Sequence, residues 1–374
     1  MTRIHSFAAL LILVLILVNN SSAQEKSPAF QYRFKNASIP SATSNEPKAA
    51  QFSSNLVKDH LDLGATLWAK QKKCVSCHTH GIYMLTRPAL TPYWGAPSKE
   101  TRAFVVAQAK ELRENNDRTG SLPVQMAYIA RGLAAWDSQF RQQTSTEADA
   151  ALRHLFEMQA EGGHILVKDR WPPLNSSTYH GTAMAAMAVA NAPGWLANLD
   201  DAELLAKIDK LKHYLRETTP KNDHEGVLLL WASTCMMDLL TDERQQSLVD
   251  MIWKHQREDG GWSIRTFATP ESLGGGKRTE SLRAEPDYQN PSSDGYQTGL
   301  VVVVLRDAGI SADHPRIKKA VKWLLSHQRE SGRWWTRSLN TRSRFHFISY
   351  SGTAYSALAL AKCGALATTS QSPE

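Results

Sequence analysis

Two stretches of the chain, MIWKHQREDGGW (251–262) and VKWLLSHQRESGRWW (321–335), end in one pattern, Q-x-x-x-G-x-W. Gln256, Gly260 and Trp262 carry it first, then Gln328, Gly332 and Trp334. A looser copy, LRHLFEMQAEGGHI, keeps Gln159 and Gly163 but places Ile165 where Trp is expected. A fourth, LWAKQKKCVSC, leads with Gln71 and ends on Cys77. The glycine ends a helix in a conformation that needs no Cβ, and the indole folds back over the turn. Internal repeats of this kind imply units that bury their apolar faces only against neighbouring units.

After each copy a second helix opens on a polar residue and glycine: HGIYML (His80), HGTAMAAMAVA (His180), DGYQTGLVVVVL (Asp294) and SGTAYSALALA (Ser351). EGVLLLWASTCMMDLL (Glu225) starts the same way. These helices are apolar nearly all round and so belong in an interior, whereas partners such as DAELLAKIDKLKHYLRE are amphipathic. Pairing them gives hairpins near 55–90, 101–138, 146–192, 201–240, 244–309 and 314–363. The expected fold is all-α, a single α/α toroid of about six helical hairpins over residues 53–365, with buried helices inside and amphipathic ones outside. Closing the ring accounts for a length beyond one ordinary core, about 250–300 residues, without a domain break.

On these motifs, over about residues 55–365, the chain resembles the squalene–hopene cyclase and protein prenyltransferase β-subunit superfamily. Within it, the chain is most similar to short exported squalene-cyclase-like proteins with a C-x-x-C-H motif and an R-P-A-L stretch, here Arg87 to Leu90. The resemblance implies a toroid that handles an apolar, isoprenoid-class molecule. Two activities of the superfamily lack their residues. Cyclases use a D-x-D-D acid, but SSDGYQTG leaves Asp294 as the only carboxylate. Prenyltransferase zinc needs a thiolate where Tyr296 stands and a His where Ser351 stands.

His80, His180, Glu225, Asp294 and Tyr296 all precede or open inner helices and are expected at one mouth. They act there as helix caps or as a polar rim, with Asp294 and Glu225 the candidate catalytic carboxylates. The segment Ser263–Ser293 is long enough to cover that mouth.

Residues 71–81, QKKCVSCHTHG, place Cys74, Cys77 and His78 as C-x-x-C-H. Three chemistries fit. Thioether attachment of a c-type haem would use both thiols and His78 as proximal iron ligand. A local Cys74–Cys77 disulfide suits an oxidising compartment. Zinc could be held by the two thiols with nearby His80, but four ligands are needed and no second C-x-x-C is present. For haem, Met84 is too close in sequence to reach round easily as sixth ligand, and the position is open among Met126, Met158, Met184, His164, His180 and none. Cys235 and Cys363 sit in apolar helical runs as inert thiols.

The first 23 residues read as a signal peptide, with Arg3 and His5 before a run of twelve apolar residues, Phe7 to Val18, and Ala23 at the cleavage site. Twelve is short of the about 20 that cross a bilayer, so export to the periplasm or beyond is expected. Residues 24–52 read as a flexible linker and 366–374 as a disordered tail.

Of the net charge of +7, all falls between Ser311 and His346, where nine Lys/Arg face Asp313 and Glu330. With Trp323, Trp334 and Trp335, this region is a candidate docking face for an electron-transfer partner or an anionic membrane surface. No nucleic-acid partner is expected. The function that follows is an exported toroid that carries one haem c and binds or oxidises an apolar, isoprenoid-class small molecule or lipid in the ring cavity. The alternatives are a terpene-cyclase-like isomerase using Asp294, a glycan-handling toroid using Glu225 with Asp294, and a structural or interaction toroid with a Cys74–Cys77 disulfide.

Overall fold

The computed structural model describes residues 30–114, 122–167, 171–340 and 346–368. The expected signal peptide lies outside the described residues, as does 369–374 of the expected tail.

Six outer helices alternate along the chain with six inner ones. They are α1 (Ser54–Lys72), α2 (Ile82–Thr86), α3 (Lys99–Glu114), α4 (Leu122–Phe140), α5 (Thr146–Glu157), α6 (Thr178–Asn191), α7 (Ala202–Glu217), α8 (Asp223–Cys235), α9 (Asp242–Lys254), α10 (Gly295–Asp307), α11 (Pro315–His327) and α12 (Ile348–Lys362). Odd-numbered helices form the outside. In α7, Leu204, Ile208, Leu211 and Leu215 face inward at helical spacing while the charged residues face solvent. Even-numbered helices pack in the order α2, α4, α6, α8, α10, α12 and back to α2. From Gly295 to Leu305 every residue of α10 is buried. The expected α/α toroid of six hairpins is the observed fold.

The repeat motif is the joint between hairpins. The Gln256 amide donates to Gly260 in its own turn and to Arg316 at the start of α11 (both 2.9 Å). Gln159 does the same toward Gly163 (2.8 Å) and Lys207 in α7 (2.9 Å). Gln328 closes the ring, donating to Ser53 (2.9 Å) and accepting from the Ser53 N–H (2.7 Å) just before α1. The glycines sit at φ +84° (Gly163), +92° (Gly260) and +85° (Gly332). A Cβ at Gly332 would lie 2.4 Å from the Leu56 backbone, so these positions need both the left-handed conformation and the missing side chain. The indoles of Trp262 and Trp334 donate back to Ile252 (3.0 Å) and Leu324 (2.9 Å) of the preceding helix. The fourth copy does not behave this way. Gln71 is exposed, and Trp68 Nε1 instead holds the Cys74 carbonyl at 3.0 Å.

Residues 30–52, expected as part of a flexible linker, are built into the molecule. β1 (Phe30–Phe34) and β2 (Ala37–Pro40) form an antiparallel hairpin against α1, with Tyr32 and Ile39 buried. Arg333 anchors the following segment, donating to Glu46 (2.8 Å), the Pro40 carbonyl (2.7 Å) and the Ser41 carbonyl (3.0 Å). That anchor also changes the reading of the basic 311–346 region. Arg333, Trp323 and Trp334 are interior groups, and Arg316 is tied to Gln256 (2.7 Å) and stacked on Trp253. The two buried indoles are therefore not part of a docking face, because packing and hydrogen bonds consume them. Among the described residues no helix is long and apolar enough to cross a membrane.

Candidate functional site

A single π-helical turn, Cys77–Gly81, leads into α2 at the mouth of the ring. Such widened turns displace side chains from the regular helical register and recur at functional sites. Ser76 caps it by accepting the Thr79 N–H (3.3 Å), and Gly81 lets it lie against Tyr128, whose ring would be 2.8 Å from a Cβ there. The turn opens on a cavity of about 400 Å³, a volume suited to an organic ligand or cofactor. Cys74, Cys77 and His78 all line it, with an aromatic and aliphatic wall that includes Trp68, Val124, Leu174 and Phe347. Trp171, 55 % exposed, forms its outward edge.

The His78 ring is fixed on three sides. Nδ1 lies 2.8 Å from the Thr79 hydroxyl, which in turn lies 3.1 Å from the Tyr32 hydroxyl. Phe347 stacks on the imidazole (4.5 Å, 10°), and Trp68 meets it edge-on (4.7 Å, 86°). Ser351, at the start of α12, holds the His78 carbonyl at 2.9 Å. With Nδ1 engaged, Nε2 is the nitrogen left to coordinate, the usual division of labour in a metal-ligating histidine. Burial, with His80 nearby, pushes His78 down to about 3, so its imidazole is neutral. Burial pushes the Cys77 thiol up to about 12 and raises Cys74, and both thiols are free. Thiols held protonated in this way are poor thiolate donors for zinc or redox exchange. Among the described residues no group of three or more His, Cys, Asp and Glu is placed to hold a metal ion. The donor set fits a haem better: two thiols, one imidazole with its second nitrogen engaged, and an apolar wall for the macrocycle.

Below the cavity the ring is filled with side chains. Tyr128 donates to the Leu174 carbonyl (2.9 Å) and shares a 2.8 Å hydrogen bond with His180 Nε2. His224 lies 6.3 Å from the His180 ring and 5.9 Å from Tyr296, and Tyr355 follows 5.6 Å from Tyr296. Deeper still, Arg131 lies 4.0 Å over the Trp231 ring. Burial lowers His180 to about 3 and His224 to about 4, so both are neutral. The cavity that Cys74, Cys77 and His78 line lies at the mouth, above these interior side chains.

Of the expected rim, His180 and Tyr296 face this interior. His80 does not. It is fully buried toward the outer layer, 4.9 Å from Phe104 of α3. Glu225, itself buried, faces the outer layer and accepts the Lys221 N–H at 2.7 Å; burial raises the hydroxyls of Tyr179 and Tyr214, and the nearby Glu225 carboxylate adds to the shift. Asp294 is the N-cap of α10. Its carboxylate accepts the N–H groups of Gln297 (2.9 Å) and Ile264 (2.8 Å), while burial lifts it to about 6. With one oxygen committed to each amide, it is built as a cap. The Ser263–Ser293 segment is a series of short helical turns, and Arg278 ties it to Asn340 of the cavity wall at 3.1 Å. Cys235 and Cys363 are half-buried, and burial pushes Cys363 up to about 11. Sequence reasoning missed His224, Tyr128, Phe347 and the Tyr32–Thr79 support of His78. The H-E-G start of α8 was the one available signal for His224.

No protein-family model matches the chain, and no curated protein does. Solved structures share its fold. An inactive double-aspartate variant of the α-1,6-mannanase GH76A of Salegentibacter sp. HEL1_6, in complex with α-1,6-mannotetrose, aligns over 82% of this chain and 98% of its own, with 10% identity and a TM-score of 0.51. A type II terpene cyclase, MstE from Scytonema, in complex with geranylgeranyl dihydroxybenzoate, aligns over 84% and 99%, with 12% identity and a TM-score of 0.46. The mannanase alignment agrees with the α/α toroid fold described above. At such identity the fold is what is shared, and substrate does not follow from it.

Proposed function

We propose that the protein is an exported squalene-cyclase-like toroid that carries one covalent c-type haem at residues 74–78 and binds or oxidises an apolar, isoprenoid-class molecule at the mouth of the ring. The observation that carries this reading is the convergence of Cys74, Cys77 and His78 on one apolar-walled cavity of about 400 Å³. Cys74 and Cys77 would hold the macrocycle, and His78 would ligate its iron through Nε2. Bound there, haem supplies one-electron or oxygen chemistry. The chain's own part is positional. Thr79 and Tyr32 hold the imidazole, Phe347 and Trp68 exclude water from it, and Trp171 presents an apolar edge to an arriving molecule.

Any electron-transfer partner or anionic surface would meet the exposed lysines of α11, Lys318, Lys319 and Lys322, rather than the buried indoles. The test is expression with export and haem-maturation machinery, followed by a haem-stained denaturing gel. Covalent stain in the native protein, lost in Cys77→Ala, supports the reading. An unstained, colourless protein contradicts it.

A further inference from the structure

Arg131 is a cation enclosed in the interior of the ring. It belongs to α4 and is 1% exposed. Its guanidinium lies 4.0 Å over the Trp231 ring of α8, and Nη1 donates to Met184 Sδ of α6 at 3.0 Å. Trp231 in turn meets Tyr355 of α12 edge-on at 5.9 Å, so four of the six inner helices gather about this group. The Nε–H is fully buried and donates to nothing.

These neighbours do not balance the charge. A thioether is a weak acceptor, and an indole face attracts a cation without neutralising it. Among the described residues no carboxylate forms an ion pair with Arg131. The acid that acts on it from further off, Asp307, accepts from Trp231 Nε1 (3.0 Å) and pairs with Lys362 instead. Tyr355, Tyr128 and Cys235 are all raised by burial and so are neutral, as are His180 and His224. Burial lowers Arg131 itself, but a guanidinium keeps its proton in a protein. A buried cation without an opposite charge is costly, and a buried N–H without an acceptor adds to the cost.

We infer that Arg131 holds a compact inorganic anion, of which chloride is the simplest, in the interior of the ring. The anion would accept from Nε–H and supply the missing charge, with the Tyr355 hydroxyl a further donor beside the guanidinium. Trp231 and Met184 crowd the guanidinium at 4.0 and 3.0 Å, which favours an ion of one or a few atoms over an organic ligand. Bound there, it would tie α4 to its neighbours from within. The site is distinct from Cys74, Cys77 and His78 and does not depend on a haem at those residues.

The test is thermal unfolding of the exported protein while chloride replaces gluconate at constant ionic strength. An ion that binds the folded chain alone should raise the melting temperature along a saturating curve, by about 4 °C at a hundredfold excess over Kd. Arg131→Met, which keeps an apolar stem in place of the charge, should abolish the saturating part. A bromide soak of native crystals, read by anomalous scattering, locates the ion without any variant and decides the case in which Arg131→Met does not fold. The expected result is a bromide peak within hydrogen-bond reach of Arg131 Nε. A rise that never saturates or that persists in Arg131→Met overturns the inference, as does a water, or no peak, at Nε after the soak. Neither result bears on whether residues 74–78 carry haem.

Discussion

Replacing Gln328 with Ala should open the seam of the ring. Gln328 is 1% exposed and makes three hydrogen bonds: to the Ser53 carbonyl (2.9 Å), to the Gly332 carbonyl (3.2 Å) and from the Ser53 N–H (2.7 Å). A net contribution of about 1 kcal/mol for each bond gives a loss of roughly 3 kcal/mol, with the stranded Ser53 amide adding to it. The effect should exceed that of an ordinary surface substitution because Ser53 begins the first outer helix and Gln328 ends the last. Gln71→Ala is the control, since Gln71 holds the same motif position on an exposed turn and should cost no more than about 0.5 kcal/mol. Urea unfolding followed by tryptophan fluorescence reads both variants. Equal midpoints for Gln328→Ala and Gln71→Ala would refute the idea that the motif glutamine is the joint between hairpins.

Three further outcomes follow from the same geometry. Gly260→Ala should cost about 2 kcal/mol more than Gly309→Ala in thermal unfolding. Both glycines have positive φ (+92° and +83°), but only Gly260 would place a Cβ 2.8 Å from the next helix, at Lys319. Acid should destabilise the fold. Burial lowers His60 and His180 to about 3 and His224 to about 4, so below the ordinary pKa near 6.5 the unfolded chain takes up protons the folded chain refuses. Stability present above pH 6.5 is then lost as pH falls, these three histidines alone accounting for about 4 kcal/mol at pH 5.5, with Asp294, raised to about 6, returning about 1 kcal/mol. Denaturant midpoints that stay constant from pH 7.5 to 5.5 would contradict this. In the haem-loaded protein, Thr79→Val should raise the midpoint potential in a spectroelectrochemical titration, because it removes the group that engages His78 Nδ1 and so lowers the basicity of the ligand. An unchanged potential would mean that this contact does not tune the ligand.

The toroid was legible because its determinants repeat. Gln, Gly and Trp at fixed spacing mark each joint, and the contrast between apolar and amphipathic helices separates inside from outside. The rim was legible only in part, because neighbouring residues on a helix point about 100° apart. At the start of α8 that rotation gives His224 the interior and sends Glu225 toward the outer layer. At residues 77–81 the π turn breaks the register altogether, bringing His78 to the cavity and burying His80 against Phe104. The hairpin at 30–40 carried no periodicity long enough to read. It is ordered by tertiary contacts, chiefly Tyr32 packed on Trp68, Phe347 and Tyr350. The same tyrosine supports His78 through Thr79, so the support of the candidate ligand came from the segment whose sequence said least.

The central claim is that residues 74–78 carry a covalent haem. Mass spectrometry of the exported protein, intact and after proteolysis, tests it most directly. The account predicts one haem mass on the chain, retained on the peptide holding Cys74, Cys77 and His78. A peptide of unmodified mass, or one lighter by the two hydrogens of a Cys74–Cys77 disulfide, would contradict it.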